Sequence, residues 1–285
     1  MDGDARMVAD YYNANTGLFL RLGGSGQAAA IHRAIWAPGV EDAVAAFTYL
    51  NQLVAQAIDP AALLTSIRGE PLPALDLGCG VGGTATWIAQ RSQLRVIGVS
   101  NSLAQVDHAR RRAQQLGLQE RCRFLHADFL DLPRLGPACA VYAIESFAHA
   151  RDPQEFFIQA SSQLAPGGRM VLCDDFLAEQ PASPGDAGQA EAWLGRFRSG
   201  WCINSLLKPS EVIPLAANAG LKLVVSTDLT TYIKSFHPLV LRAAALATRL
   251  PLSWPYWQNL SGGSALQVCI QRGWTQYRVL VWEKR

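Results

Sequence analysis

At 285 residues the chain has room for one large domain, or for one domain with an added cap. Hydrophobic residues make up 49% and charged residues 17%, enough apolar material for a sizeable core, which excludes a disordered chain. A formal net charge of +2 excludes a strong field for nucleic acid or a membrane surface, and the densest basic run, Arg110-Arg111-Arg112, reads as a solvated helix face.

Residues 1–60 precede the first strong motif and read as an N-terminal helical lid. Within them, Ala43 to Ile58 has helical spacing of Val44, Phe47, Leu50, Leu53 and Val54, and Pro60 helps to end it. From residue 73 short apolar runs alternate with longer amphipathic ones. The pattern predicts strand Leu75–Leu77, helix Gly83–Gln90, strand Leu94–Val99 and helix Leu103–Leu116, closed by Gly117. Strands Arg123–His126 and Ala138–Ile144 follow, then helix Pro153–Leu164, stopped by Pro166-Gly167-Gly168 before strand Arg169–Cys173. Such βαβα alternation predicts an α/β fold, a doubly wound and mostly parallel sheet with ligands at the carboxyl ends of its strands. Residues 61–180 form the expected binding core. Residues 181–285 supply the remainder of the sheet with an inserted helical cap. Here residues 178–200, rich in Ala, Gly, Pro and Gln, read as a loop or mobile insertion. Pro209–Ala219 reads as a helix closed by Gly220, and Leu221–Ser226 and Tyr277–Trp282 as strands. Thr231–Gly263, with Phe236, Trp254, Tyr256 and Trp257, reads as helical material capping the site.

Six cysteines, at 79, 122, 139, 173, 202 and 269, show neither a Cys-x-x-Cys pair nor a metal spacing. Residues 1–10 carry Asp2, Asp4 and Asp10 with no apolar block, and no run reaches the length of a membrane span. The expectation is a reduced, cytoplasmic protein with a small-molecule partner, without nucleic acid or stable membrane insertion, and with homo-oligomer formation left open.

The stretch Pro73-Ala-Leu-Asp-Leu-Gly-Cys-Gly-Val-Gly-Gly83 carries the most chemistry. A strand running into glycines and then a helix lets backbone approach a ligand and points helical N–H groups at it. A dinucleotide fingerprint would read Gly-x-Gly-x-x-Gly and place a pyrophosphate on the helix N-terminus. Here Asp76 stands two positions before the first glycine, where it would repel a phosphate and suit the ammonium of an amino-acid-like ligand. The spacing, and the lack of an acidic residue after the second strand, argue against a nicotinamide-dependent oxidoreductase.

On these residues the chain resembles the class I S-adenosylmethionine (SAM) methyltransferases, which implies a Rossmann-like sheet of seven strands and SAM as cofactor. The turn Gly98-Val-Ser-Asn-Ser102 with Gln105 resembles lipid- and sterol-methylating members, and implies ribose and methionine contacts from Ser100, Asn101 and Gln105. Ser100-Asn101-Ser102 also fits a plain N-cap for the helix from Leu103. His126-Ala-Asp128-Phe129 follows the third strand; the resemblance has Asp128 accept from the adenine amino group and Phe129 pack on the ring. It further sets Tyr11, Asp76, Gly78, Cys79, Gly80 and Ile144 against the cofactor.

Val141-Tyr-Ala-Ile-Glu145-Ser-Phe-Ala-His149-Ala is similar to sterol C-methyltransferases, as is Tyr11-Tyr12-x-x-x-Thr16 with Gly23-Gly24; geranyl diphosphate C-methyltransferases share the outline. This implies methylation of an alkene of an isoprenoid, terpenoid or sterol-like acceptor. The carbocation so formed is stabilised by aromatic faces and a carboxylate, which then removes a proton. Glu145 is the expected base, with Tyr12 and His149 beside it, and Phe19, His32, Trp36, Phe147 and Asp175 face the acceptor. A hydroxyl- or amine-methylating enzyme would instead use His149 or His32 as base. Arg21, His32 and Arg33 could meet a diphosphate, which would call for Mg²⁺, but Asp174-Asp175 is the sole carboxylate pair nearby and a weak metal signal. A non-catalytic binding domain is disfavoured by the joint presence of Asp76, Asp128 and Glu145.

Overall fold

The computed structural model describes residues 3–22, 31–66, 68–180, 182–236 and 255–285. Its strands are β1 (Ala74–Leu77), β2 (Val96–Ser100), β3 (Cys122–His126), β4 (Ala138–Ile144), β5 (Leu164–Leu177), β6 (Leu221–Asp228) and β7 (Thr275–Lys284). The described helices are α1 (Gly3–Leu22), α2 (Ala43–Ile58), α3 (Gly83–Arg91), α4 (Leu103–Gln115), α5 (Pro153–Gln163), α6 (Ala187–Trp201), α7 (Pro209–Asn218) and α8 (Pro255–Gln271).

The seven strands form one sheet in the order β3-β2-β1-β4-β5-β7-β6. Strands β3 to β5 run parallel, and β7 is antiparallel to both of its neighbours. Central strands β1 and β4 are nearly continuous apolar runs, as burial on both faces requires. Leu50, Val54, Ile88 and Val106 cover one face together with Tyr142 and Tyr277; Phe147, Phe156, Phe157 and Trp282 fill the other. A third apolar cluster joins α6 to α8 through Leu194, Phe197, Leu266 and Ile270. Strand order reverses at β1, whose neighbours are β2 and β4, and a ligand crevice opens at such a switch point beyond the carboxyl ends. Local signals set the helix starts: Asp42, Ser102 and Asp152 each accept from the backbone N–H three residues on. Among the described residues no helix is long and apolar enough to cross a membrane.

Two expectations change. Residues 187–201 form a helix rather than a loop, because Ala190, Leu194 and Phe197 recur at helical spacing and bury against α8. Gly200 and Gly262 allow that crossing, since a Cβ at 200 would lie 2.6 Å from the Gly262 Cα. Strand β5 begins at Leu164, ahead of the Pro-Gly-Gly that was expected to precede it. Ala138 pairs with Leu164 and Ala140 with Arg169, so the glycines are absorbed as an irregular bulge. Of the expected cap, Gly23, Gly24, residues 237–254 including Trp254, and the side chains of Arg21 and Tyr256 lie outside the described residues.

Candidate active site

A cavity of about 280 Å³ lies at the carboxyl ends of β1, β2, β4 and β5, roofed by α1, α6 and α8. One wall is the turn after β1. Gly78 has φ 82, and a Cβ there would meet the Ser146 Cβ at 2.3 Å, so only glycine lets β1 pass the end of β4 so closely. Asp76 is 3% exposed, and its Oδ2 has no hydrogen-bond partner among the described residues. Burial pushes its carboxyl up to about 7, opposed by the neighbouring Tyr142 hydroxyl. An orphaned buried carboxylate oxygen next to a smaller cavity that also touches Gly78, Cys79 and Gly80 fits a ligand ammonium. Farther along, the Ser100 hydroxyl donates to Gln105 Oε1 at 2.8 Å, and Asn101 Nδ2 donates to the Ala5 carbonyl at 3.3 Å. Asp128 accepts from Leu130 N–H at 2.9 Å and pairs with Arg151 at 3.2 Å, while Phe129 packs edge-on to Phe156.

The opposite wall is ionic. Glu145, just past β4, has a left-handed backbone at φ 50, a sparsely populated conformation for a side-chain-bearing residue. Its Oε1 accepts from Arg33 N–H at 3.0 Å, Arg33 Nε at 2.9 Å and the Tyr277 hydroxyl at 3.1 Å. Arg33 then grips both Asp175 oxygens, one at 3.0 Å through Nη1 and the other through Nη2, and its guanidinium lies 4.3 Å from the Tyr277 ring centre. Burial would raise Glu145, but Arg33 outweighs it and holds the carboxyl below the usual range. Burial raises Asp175 to about 6 against the pull of Arg33. Burial and the Asp175 charge push Asp174 to about 8; its Oδ2 accepts from Ala148 N–H at 3.1 Å and its Oδ1 from Asp175 N–H at 2.8 Å.

Between the walls stands His149. Its Nδ1 faces the Cys202 carbonyl at 3.0 Å; a carbonyl only accepts, so Nδ1 carries the proton. Nε2 then accepts from the Tyr12 hydroxyl at 2.8 Å. Burial lowers the His149 pKa, which favours the neutral ring.

The fold thus brings Tyr11, Tyr12, His32, Gly78, Gly80, Ser100, Asn101, Gln105, Asp128, Phe129, Ile144, Glu145, His149 and Asp175 to one cavity, with Asp76 and Cys79 on the adjoining smaller one. It does not bring Phe147 there: that ring is fully buried against Phe156 and Phe157. Trp36 is also elsewhere, its ring beneath the Lys234 ammonium. The side chain of Phe19 lies outside the described residues. His32 has Nδ1 3.1 Å from the Arg33 carbonyl and Nε2 3.3 Å from Asn51 Oδ1, so the protein itself occupies both nitrogens. Trp201, Asn204 and Asn259 line the cavity from the cap without having been expected. No local motif marks them, because a helix crossing brings them in. Tyr277 was missed for the same reason, being one residue of an ordinary apolar strand. Among the described residues no three ligating side chains gather as a metal site.

Residues 74–168 match the model of a methyltransferase domain. Methyltransferase GfsG of Streptomyces halstedii is 31% identical over 174 residues, which are 59% of each chain. Sterol 24-C-methyltransferase erg6 of Aspergillus fumigatus is 30% identical over 161 residues, 56% of this chain and 42% of that one. The chain therefore spans about three fifths of the first relative's length and under half of the second's. A crystal structure of geranyl diphosphate C-methyltransferase from Streptomyces coelicolor, in complex with Mg²⁺, geranyl diphosphate and S-adenosyl-L-homocysteine, superposes with TM-score 0.68 at 20% identity, over 100% of this chain and 99% of that one. The sheet is that of the Rossmann-like SAM methyltransferases.

Proposed function

We propose, from the premise that residues 74–168 are a methyltransferase domain, that this chain transfers the methyl of SAM to an uncharged, largely apolar small molecule. The orphaned Asp76 Oδ2 supports the donor: it would take the amino group, with Ser100, Asn101 and Gln105 at the ribose and Asp128 with Phe129 at the adenine. SAM supplies an electrophilic methyl on a sulfonium, and its thioether leaves.

The observation that carries the acceptor chemistry is the oriented, neutral His149 in the cavity, whose Nε2 carries no proton and accepts from the Tyr12 hydroxyl, whereas both His32 nitrogens face acceptors. That favours a hydroxyl acceptor, deprotonated as its oxygen takes the methyl, an effect worth about 10²–10⁴ in rate. Asn204, Asn259 and Trp201 give the cap side a mixed polar and apolar lining suited to such an alcohol. A diphosphate acceptor fits less well. Arg33 is spent on two carboxylates, and those carboxylates would repel phosphate, so neither a diphosphate nor its Mg²⁺ finds a prepared place among the described residues.

Methylation of an isoprenoid alkene, with Glu145 as base, is the second reading, and one observation favours it. Glu145 lines the cavity and is held ionised, its Oε1 accepting from three donors, and a carboxylate there would stabilise a carbocation. A carbocation needs little basicity to lose its proton, so a low carboxyl pKa is no obstacle. Incubation with methyl-labelled SAM and geraniol, farnesol, 4-propylphenol, cholesterol or geranyl diphosphate, with NMR of the product, separates the readings. An O-methyl ether is expected; label on carbon alone would replace the first reading with the second.

A further inference from the structure

Helix α6 ends in a left-handed turn of the kind usually made by glycine, yet the residue there is Cys202, at φ 53. The Cys202 and Ile203 N–H groups both return to the Arg198 carbonyl, the latter at 2.9 Å, so the chain reverses sharply. The reversal lays residues 202–205 along the short turn that carries His149. Asn204 and Ser205 N–H both donate to the Ala148 carbonyl, at 2.8 and 2.9 Å. Asn204 Nδ2 donates to the His149 carbonyl at 3.0 Å, and the Ser205 hydroxyl to the Ala150 carbonyl at 2.6 Å. The Cys202 carbonyl accepts from the His149 ring through Nδ1 at 3.0 Å. From the core side, Asp174 Oδ2 accepts from Ala148 N–H at 3.1 Å. Trp201, Ile203 and Asn204 line the cavity, and Ser205 is buried.

We propose that residues 202–205 position the base, the left-handed backbone at Cys202 fixing which nitrogen of His149 carries the proton. The proposal rests on the hydroxyl-acceptor reading above. A neutral imidazole has one donor and one acceptor nitrogen, and the bond made by one decides the role of the other. With the proton committed to the Cys202 carbonyl through Nδ1, the lone pair lies on Nε2. In the opposite tautomer Nε2 would carry the hydrogen and could receive no proton. Turning residue 202 out of the left-handed region swings its carbonyl off Nδ1 and removes that preference. Glycine supports φ near 53 without steric cost, whereas a β-branched side chain there is strongly disfavoured. Cys202 thus acts through its backbone, and its thiol has no part in the step. The stretch that fixes the base also presents Trp201, Ile203 and Asn204 to the cavity, so a displacement of the cap reaches His149 directly.

The test takes the full chain, labelled SAM, whichever of geraniol, farnesol, 4-propylphenol and cholesterol is O-methylated, and NMR of isotope-labelled histidine. Of the five histidines, His149 is the one whose ring signals vanish in His149→Ala. In the wild type, with the ring neutral, the proton is expected on Nδ1. Cys202→Val is expected to move it toward Nε2 and to lower kcat by about 10-fold or more, with S-adenosylhomocysteine affinity within about threefold. Cys202→Gly should keep the Nδ1 proton and hold kcat within about threefold of wild type. Ser205→Ala, which loses the bond to the Ala150 carbonyl, should lower kcat about three- to tenfold, and Ser205→Thr should restore it. A wild-type proton on Nε2 overturns the proposal, as does a fall in kcat in Cys202→Val with the Nδ1 proton unmoved. So does an equal loss in Cys202→Gly, which would give the role to the thiol, or wild-type kcat in Cys202→Val. Should Cys202→Val lose S-adenosylhomocysteine, the Ser205 pair decides: wild-type kcat in Ser205→Ala, or no recovery in Ser205→Thr, overturns the proposal. Wild-type turnover in His149→Ala, or label on carbon alone or on none of the four compounds, removes the hydroxyl reading and the positioning role together.

Discussion

Asp76 offers a quantitative test of the donor site. Burial holds its carboxyl near 7, some three units above a free aspartate, which amounts to roughly 4 kcal/mol against the ionised form at 1.36 kcal/mol per unit. A ligand that brings an ammonium to Oδ2 needs the ionised carboxylate, so below about pH 7 it must displace a proton first. Between pH 5.5 and 7.0 the ionised fraction rises from about 3% to about 50%, and Kd should fall roughly 16-fold. S-adenosylhomocysteine carries the amino-acid end without the reactive methyl and suits calorimetry across that range. Run at about pH 6 in two buffers of different protonation enthalpy, the titration should report close to one proton released per ligand bound. Asp76→Asn keeps the shape and removes the charge. It should weaken binding near pH 7 by about 10- to 100-fold, the worth of a charged hydrogen bond, and abolish the pH slope. A wild-type Kd that stays flat from pH 5.5 to 7.0, or an unchanged slope in the variant, would refute the assignment.

Arg33→Met leaves Glu145 and Asp175 buried without a counter-charge, and should cost about 3–5 kcal/mol of stability near neutral pH. Glu145 is depressed in the folded wild type, so Arg33 stabilises above the unfolded carboxyl value and its benefit fades as pH falls. Urea unfolding should therefore show the gap between variant and wild type narrowing toward pH 4; an equal gap at both pH values contradicts the ion-pair account. Gly78→Ala sets a Cβ 2.3 Å from that of Ser146 on a backbone at φ 82, and should cost about 2–4 kcal/mol, visible as a Tm lower by roughly 5–10 °C. Should its Tm match wild type, the close approach of β1 to β4 is not required. Gly262→Leu should force α8 from α6, since a Cβ there already lies 2.5 Å from Trp201 Cδ1, raising acceptor KM while leaving S-adenosylhomocysteine affinity unchanged. An unaltered KM would take Trp201 out of the acceptor wall.

The parallel half of the sheet was legible because its signals are local. Asp152-Pro153 starts α5 within two residues, and the apolar run 138–144 is β4 to the residue. The cavity wall formed by the turn after β1 was legible for the same reason, since one strand and the glycines that follow it are contiguous in sequence. The ionic wall opposite was not. Phe147 follows Glu145 by two residues, but the short turn at 147–149 rotates its ring into the core while His149 faces the cavity. Arg33 reads as a free cation for a diphosphate until the fold delivers two carboxylates from β4 and β5 to it. Helix α6 was hidden by small residues, which read as a loop where in fact they let two helices cross closely.

The position of β7 between β5 and β6 bears on how the chain folds. Parallel strands β1 to β4 and their helices close over short stretches of sequence, so the wall at the turn after β1 can assemble early. The outer edge of β5 cannot be paired until β7 arrives; the Gln276–Leu177 hydrogen bond spans 99 residues and the Tyr277–Glu145 bond 132. Closing loops of that length is slow, and an unpaired apolar edge invites association with other chains. A refolding chain should recover S-adenosylhomocysteine binding before the Glu145–Tyr277 contact forms. In that interval the turn after β1 is in place while the ionic wall still lacks its Tyr277 contact.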